Sequence, residues 1–127
     1  RRQRQMCIRD SDNDGIVIAT KSSMKKSLDK INYDYALIDS VDLMINKPYF
    51  NFNKADSISV SVAAASIIAK VCRDSMMSNI YDKLYPDYFF KNNKGYGSNK
   101  HIEIMKNIGL CPIHRKTFKP NSELIRK

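Results

Sequence analysis

The stretch from Ser57 to Tyr85 constrains the fold most, because it contains no glycine or proline and Pro86 follows it. Such a stretch favours one long helix, which the proline ends because its ring removes a backbone donor and clashes with the preceding turn. We predict an amphipathic helix, broken at most once, with Lys70 and Arg73 on its polar face. Its apolar residues recur at near-helical spacing and predict a buried stripe. The stripe consists of Ala65, Ile68, Cys72, Met76, Ile80 and Leu84.

Two segments before this helix predict β-strands. The sequence YDYALID, residues 33–39, is apolar in its second half and ends at Asp39. The sequence PYFNFNKAD, residues 48–56, alternates apolar and polar residues and begins with a proline. Because proline cannot donate to a strand ladder, this second segment is typical of an edge strand.

Two further helices complete the predicted order of elements. One occupies the second half of residues 16–31, and the other runs from about Ser98 to Ile108, where Gly109 ends it. The order helix, strand, strand, helix, helix is typical of an α/β protein. Two strands are fewer than the roughly 5 of a mean sheet, so we expect the sequence to begin partway through its fold. The predicted core-facing residues are Met24, Leu28, Ile31, Ile102, Met105 and Ile108.

The composition excludes some classes of protein and favours an anionic partner. The chain has 127 residues and is 43% hydrophobic and 28% charged, which is typical of a globular protein. No apolar run reaches the roughly 20 residues that cross a bilayer, so no membrane partner is expected. The net charge of +9 fits nucleic acid, but it fits a solvated lysine-rich surface equally well.

Cysteines and histidines give no metal or disulfide pattern. Cys7, Cys72 and Cys111 form no CxxC pair, which fits a reducing cytoplasm, and Cys72 is interpreted as a small core residue. His101 and His114 have no cysteine or histidine neighbour at zinc spacing.

The first nine residues, RRQRQMCIR, show no apolar periodicity. A basic nucleic-acid-binding arm is one interpretation. We favour a non-native leader, and we exclude residues 1–9 from the predicted fold. Without the four arginines of this segment the net charge would be +5, so a basic character remains.

Two aspartates are candidates for chemistry. Asp39 ends a predicted strand, where α/β sheets usually bind ligands, and Asp56 is placed at the start of the long helix. Either residue can instead be structural, Asp39 as a turn residue and Asp56 as a helix cap. If the two carboxylates converge, they can share Mg²⁺ or Mn²⁺, which prefer oxygen ligands.

The sequence KGYGSNKH, residues 94–101, is a second candidate. Gly95 and Gly97 let the backbone approach a ligand closely. Tyr96 between them can stack on a sugar or base and can bond a 2′-hydroxyl. Lys94 and Lys100 can contact phosphates. A tyrosine packed on a lysine-rich turn explains the same residues without a ligand.

Four motifs in order resemble a known family. They are DYALIDS, KADSISVSVAAASIIAKVCRD, YPDYFFKNNKGYGSNKH and GLCPIHRKTF. Together they closely resemble the C-terminal two-thirds of ribonuclease HII, over about residues 12–118. The resemblance implies an α/β, RNase H-like fold, with residues 10–118 as a partial catalytic domain and residues 119–127 as a tail. It also implies a cytoplasmic, monomeric protein.

The resemblance implies an endonuclease that hydrolyses the RNA strand of an RNA–DNA hybrid and cleaves at ribonucleotides in duplex DNA. The family uses four acidic residues that hold divalent ions, Mg²⁺ or Mn²⁺, in two-metal hydrolysis. Asp39 and Asp56 match two of them, and Tyr96 matches the tyrosine that senses the ribose 2′-hydroxyl. Other residues that match substrate-contacting or supporting motifs are Lys70, Arg73, Lys94, Gly95 and Gly97.

One departure from the family pattern is large. The other two family carboxylates form an adjacent Asp-Glu pair in the motif DEAGRG, and this chain contains no such pair. Its only glutamates are Glu103 and Glu123. We therefore expect an N-terminally truncated, inactive chain. The alternative is a non-catalytic basic module that binds nucleic acid, with salt-sensitive affinity and no metal requirement.

Overall fold

The structure is a computed structural model and describes residues 10–125. The chain divides between Ala69 and Lys70 into two compact units. We call the residues up to Ala69 the strand unit and those from Lys70 the helical unit. The predicted leader, residues 1–9, lies outside the described residues. No helix within residues 10–125 is both long and apolar enough to cross a membrane.

The strand unit contains two parallel strands. They pair with Asp39 opposite Phe52, at the carboxyl ends of both strands. Both strands lie within the predicted segments, and the mixture of helices with a parallel strand pair confirms the α/β class. The elements are helix α1 (Ile16–Leu28), strand β1 (Ala36–Asp39), strand β2 (Tyr49–Phe52) and helix α2 (Ala55–Ile58).

The core of the strand unit forms between β1 and the segments around it. Ala36, Ile38 and Leu43 are buried, and Met24 and Leu28 of α1 pack against them. The predicted inward face of α1 is therefore confirmed for these two residues. The prediction was wrong for Ile31, which is exposed because α1 ends at Leu28, before the next turn could bring Ile31 onto the core.

The long helical stretch is broken once and contains one π-helical turn. Helix α3 spans Val60–Met76, and Ser59 before it is extended, so α2 is a separate element. A π-helical turn, Met77–Tyr81, follows α3 directly. The stretch therefore breaks once, at Ser59, as predicted, but Asp56 lies in the short helix α2, so its placement at the start of the long helix was wrong. The later elements are α4 (Asp82–Leu84), a 3₁₀ turn (Pro86–Tyr88), α5 (Phe90–Asn93), α6 (Asn99–Ile108) and α7 (Asn121–Ile125).

The predicted buried stripe of the long helix was wrong. Ile68 is 63% exposed, Cys72 is exposed, and the other four stripe residues are also exposed. The helical unit instead buries Met77 and Tyr81, each one position later than a stripe residue. Periodicity identifies an apolar face, but only the neighbouring elements decide whether that face is covered. Here the covering residues include Tyr88, Phe90, Met105 and Cys111.

Helix α6 follows its local sequence signals closely. The side chain of Ser98 caps it by accepting the backbone N–H of His101, and Gly109 ends it with a φ of 82°. Met105 is buried as predicted, whereas Ile108 is 51% exposed because it lies in the last turn, beyond the packed part of the helix. The observed end of α6 therefore agrees with the prediction, and its first turn is capped by Ser98. The predicted burial of Ile108 was wrong.

Candidate functional site

Asp39 lies half-buried at the end of β1 and ties that strand to α2. Its Oδ1 accepts the backbone N–H of Ala55 at 3.0 Å and the hydroxyl of Ser40 at 3.0 Å. Ala55 is completely buried, so this bond is held by packing as well as by charge. The Asp39 carboxylate is thus fixed beside the backbone that leads directly into Asp56.

Unusual backbone angles surround this carboxylate. Ser40 and Lys54 both have positive φ angles, 56° and 57°, in the left-handed region that costs non-glycine residues energy. Ser40 is held there because its N–H donates to the carbonyl oxygen of Phe52 at 3.2 Å. Such strain persists only where the surrounding structure imposes it, and it is common at functional sites.

Asp56 is the second residue of α2, and its side chain is exposed. Its carboxylate and that of Asp39 offer the hard oxygen donors that Mg²⁺ and Mn²⁺ prefer. Within residues 10–125, no group of three or more His, Cys, Asp or Glu side chains could hold a metal ion. The two aspartates therefore have the type of ligand atom that a divalent ion prefers, but they are too few to form a complete metal site by themselves.

The second candidate group lies in the helical unit and centres on Tyr96. The guanidinium carbon of Arg73 lies 4.4 Å from the Tyr96 ring centroid. Asp74 Oδ1 accepts Nη1 of Arg73 at 2.8 Å and the Tyr96 hydroxyl at 3.3 Å. The hydrogen bond from Arg73 is the main reason that the pKa of Asp74 is lowered, with smaller contributions from Tyr96 and Lys70. Asp74, which the sequence interpretation did not assign to the site, is therefore an anion that orients both partners.

Lys94 is anchored to the long helix. Its ammonium donates to Ser78 Oγ at 2.6 Å and to the carbonyl oxygen of Lys91. Ser78 Oγ in turn donates to the carbonyl oxygen of Asp74 at 2.9 Å. Lys70 is exposed one turn before Asp74. The structure thus brings Lys94, Arg73 and Tyr96 into one neighbourhood.

The two glycines beside Tyr96 have different structural roles. Gly95 has a φ of 74°, and a Cβ there would lie 2.8 Å from Cε of Met77. Gly97 has no such angle, and a Cβ there would meet nothing within 4 Å. The fold of the helical unit therefore requires Gly95, whereas Gly97 leaves open space beside the exposed Tyr96 ring.

Comparison with known proteins identifies the family. The family model for ribonuclease HII matches residues 7–121. The chain belongs to the ribonuclease HII family. Ribonuclease HII of Enterococcus faecalis is 47% identical over 116 residues, which cover 90% of this chain and 45% of that protein. Ribonuclease HII of Listeria innocua is 47% identical over 114 residues, covering 88% and 43%. That of Acholeplasma laidlawii is 43% identical over 118 residues, covering 91% and 57%.

The chain spans about half the length of these ribonuclease HII relatives. The family resemblance read from the four motifs is confirmed, and with it the RNase H-like α/β fold class. The residues assigned from the motifs fall into two groups, one in each unit. The strand unit carries Asp39 and Asp56; the helical unit carries Lys70, Arg73, Lys94, Gly95, Tyr96 and Gly97.

A buried histidine pair lies behind Tyr96 in this ribonuclease HII chain. Nε2 of His101 and Nε2 of His114 are 3.2 Å apart, and Nδ1 of His101 lies 2.8 Å from the Tyr96 carbonyl oxygen. Burial is the main reason, and the neighbouring His101 the second, that the pKa of His114 is lowered to about 4. Sequence spacing did not reveal this pair, because the rest of α6 and the irregular turn after it separate the two residues. The available signal was that each histidine lies in one of the quoted family motifs, His101 in YPDYFFKNNKGYGSNKH and His114 in GLCPIHRKTF.

Proposed function

We propose that this chain carries part of the active site of a ribonuclease that hydrolyses the RNA strand of RNA–DNA hybrids. We extend the proposal to cleavage at single ribonucleotides in duplex DNA. The observation that carries it is the bond from Ala55 N–H to the Asp39 carboxylate, which joins the end of β1 to the start of Asp56's helix. Two carboxylates held at such a strand edge suit metal-assisted phosphodiester hydrolysis.

Asp39 and Asp56 are the residues that would hold divalent metal, Mg²⁺ or Mn²⁺. Both hydrogen bonds to Asp39 go to Oδ1, and within residues 10–125 its Oδ2 accepts none, so that oxygen can face a cation. A pair of such ions supplies an activated water and stabilises the departing oxygen when bound. These two residues are too few for the ions' coordination, and the resemblance implies two further carboxylates.

Tyr96 would distinguish ribose from deoxyribose. The residue is 48% exposed, and its hydroxyl donates to Asp74, so the oxygen lone pairs can accept a hydrogen bond from a ribose 2′-hydroxyl. A deoxyribose leaves that acceptor unpaired. Such a loss is the kind of penalty by which polar sites reject an analogue lacking a hydroxyl.

Cations around Tyr96 would hold the phosphate backbone. An ammonium has three donors, and Lys94 uses two of them internally, which leaves one for a phosphate oxygen. Lys70 and Lys100 are exposed and add positive charge. Contacts of this kind fix position but do not read base sequence. The net charge, +9 for the full sequence and +5 without the four arginines of residues 1–9, agrees with a nucleic-acid partner.

We infer that the 127 residues alone hydrolyse hybrids slowly or not at all, since they lack an adjacent Asp-Glu pair. The test therefore adds a segment with the family's Asp-Glu motif and measures cleavage of a hybrid in Mg²⁺ or Mn²⁺. Asp39→Asn and Asp56→Asn should each reduce the rate by more than the roughly 10–100-fold that follows loss of a group supporting a metal ligand. Asp29→Asn is the matched control, because Asp29 is an exposed aspartate at the end of α1 in the same unit.

Two results would contradict this proposal. One is full activity of either Asp39→Asn or Asp56→Asn, which would remove these residues from the site. The other is hybrid binding that needs no metal, weakens steeply with salt and is followed by no cleavage even with the added segment. That second result would favour the non-catalytic basic module, which the cations beside Tyr96 would also serve.

A further inference from the structure

We propose that His101 and His114 form a neutral, buried positioning pair that fixes the carbonyl of Tyr96 and thereby places the Tyr96 ring. The part of this inference that concerns ribose recognition rests on the proposed function of Tyr96. The part that concerns the position of the ring stands on the geometry of the helical unit alone. Neither histidine is placed in contact with substrate.

The hydrogen bonds determine where each proton lies. A backbone carbonyl only accepts, so His101 Nδ1, 2.8 Å from the Tyr96 oxygen, carries the hydrogen. A backbone N–H only donates, so His114 Nδ1 accepts from Cys111 at 3.0 Å and carries none. The remaining hydrogen of neutral His114 is on Nε2, and it points to the bare Nε2 of His101 at 3.2 Å. All four ring nitrogens are therefore used, in one consistent direction.

Burial makes this arrangement costly to disturb. His101 is 2% and His114 is 9% exposed, and Phe90 contacts both rings, edge-on against His101. A second proton on His101 would set two N–H groups against each other across the 3.2 Å contact between the Nε2 atoms. A second proton on His114 would lie on Nδ1 and face the backbone N–H of Cys111 at 3.0 Å. Buried polar groups that lose their partner destabilise the folded state. The pair therefore differs from ordinary core packing, because its geometry depends on protons as well as on shape.

The backbone of Tyr96 is held by hydrogen bonds on the side away from its ring. Its carbonyl oxygen accepts both His101 Nδ1–H and the N–H of Ser98 at 2.9 Å, and its own N–H donates to Asn93 at 2.8 Å. On the exposed side the ring meets Arg73 and Asp74. Movement of the carbonyl would therefore move the ring relative to Arg73 and to any ribose bound beside it.

Two substitutions separate this role from simple packing. The amide nitrogen of asparagine can occupy the place of His101 Nδ1, so His101→Asn keeps a donor to the Tyr96 carbonyl. The amide of glutamine reaches the place of Nε2, so His101→Gln keeps a polar partner for His114 but loses that donor. Both variants bury an uncharged amide, which makes each the control for the other.

The first measurement is NMR on the 127-residue chain. Imidazole ¹⁵N spectra should show hydrogen on Nδ1 of His101 and on Nε2 of His114. The ring-current shift of the Arg73 side-chain protons, which reports the Tyr96 ring above them, should persist in His101→Asn and be lost in His101→Gln. Unchanged methyl shifts of the buried Met105 would show that the core is intact. The opposite tautomers in the wild type, or an unchanged Arg73 shift in His101→Gln, would overturn the inference.

The second measurement compares affinity for a duplex with one ribonucleotide and for the same duplex in DNA. The preference of the wild type should fall at least fivefold in His101→Gln, to the level of Tyr96→Phe, and should be kept in His101→Asn. If the wild type shows no preference, the proposed role of Tyr96 fails, while the Arg73 shift still decides the positioning role. If His101→Gln does not fold, the wild-type tautomers and the Arg73 shift in His101→Asn decide instead.

Discussion

Substitution of Gly95 by alanine is the sharpest test of the loop that carries Tyr96. Gly95 has a φ of 74°, and an added Cβ would lie 2.8 Å from Cε of Met77 and 3.8 Å from a ring carbon of Phe90. Met77 is 2% exposed, so its methyl group has little space into which it can move. The substitution therefore imposes both a strained backbone angle and an overpacked core.

The expected magnitude combines these two effects. A left-handed angle costs a non-glycine residue about 1–2 kcal/mol, and alanine recovers about 0.4–1 kcal/mol by restricting the unfolded chain. Overpacking a filled core typically costs about 1–3 kcal/mol. These ranges together allow a fall of about 1–5 kcal/mol in the free energy of unfolding of the helical unit, and their middle values give about 2–3 kcal/mol.

Urea unfolding followed by far-ultraviolet circular dichroism measures this change. With a slope of about 1–3 kcal/mol per molar urea, the midpoint should fall by about 1–3 M. Gly97→Ala is the matched control, because a Cβ there meets nothing within 4 Å, and its unfolding free energy should change by less than about 0.5 kcal/mol. Equal stability of the Gly95→Ala and Gly97→Ala proteins would refute the packing described for this loop.

The remaining predictions concern pH and the turn beside Asp39. His114 has a pKa lowered from 6.5 to about 4, so the unfolded chain binds its proton first as the pH falls. The free energy of unfolding should be unaffected by this group above pH 6.5 and should fall by about 3 kcal/mol towards pH 4. Urea unfolding at a series of pH values should show that this fall is absent in His114→Gln. An equal pH dependence of stability in the two proteins would contradict the prediction. Ser40 has a φ of 56°, so Ser40→Gly should stabilise the strand unit by up to about 1 kcal/mol and Ser40→Val should destabilise it. Urea unfolding measures both variants, and a Ser40→Gly protein less stable than Ser40→Val would contradict the strain described at this residue.

Elements with local signals were predictable from the sequence. Strand β1 ends at Asp39 as its apolar pattern indicated, and α6 begins after the Ser98 cap and ends at Gly109. Capping and chain reversal depend on residues within a few positions of each other, so a single sequence contains the needed information. Family membership was likewise predictable, because the motifs are contiguous strings of residues.

Burial was less predictable, because it depends on distant partners. Cys72 was interpreted as a core residue and is exposed, whereas Met77, one position after the predicted stripe, is buried. The hydrophobic effect favours removal of any apolar surface from water and does not specify which surface. The choice between Met76 and Met77 was made by the aromatic residues Tyr88 and Phe90, which come from later in the chain.

The sequence by itself determined the family and nominated Asp39, Asp56 and Tyr96, because those assignments depend on residue type and order. Only the tertiary structure decided that Asp39 bonds the backbone before Asp56. It alone revealed Asp74 and the two histidines around Tyr96. The reason is physical: a hydrogen bond depends on distances of about 3 Å and on proton positions, and residues far apart in sequence acquire those only when the chain folds.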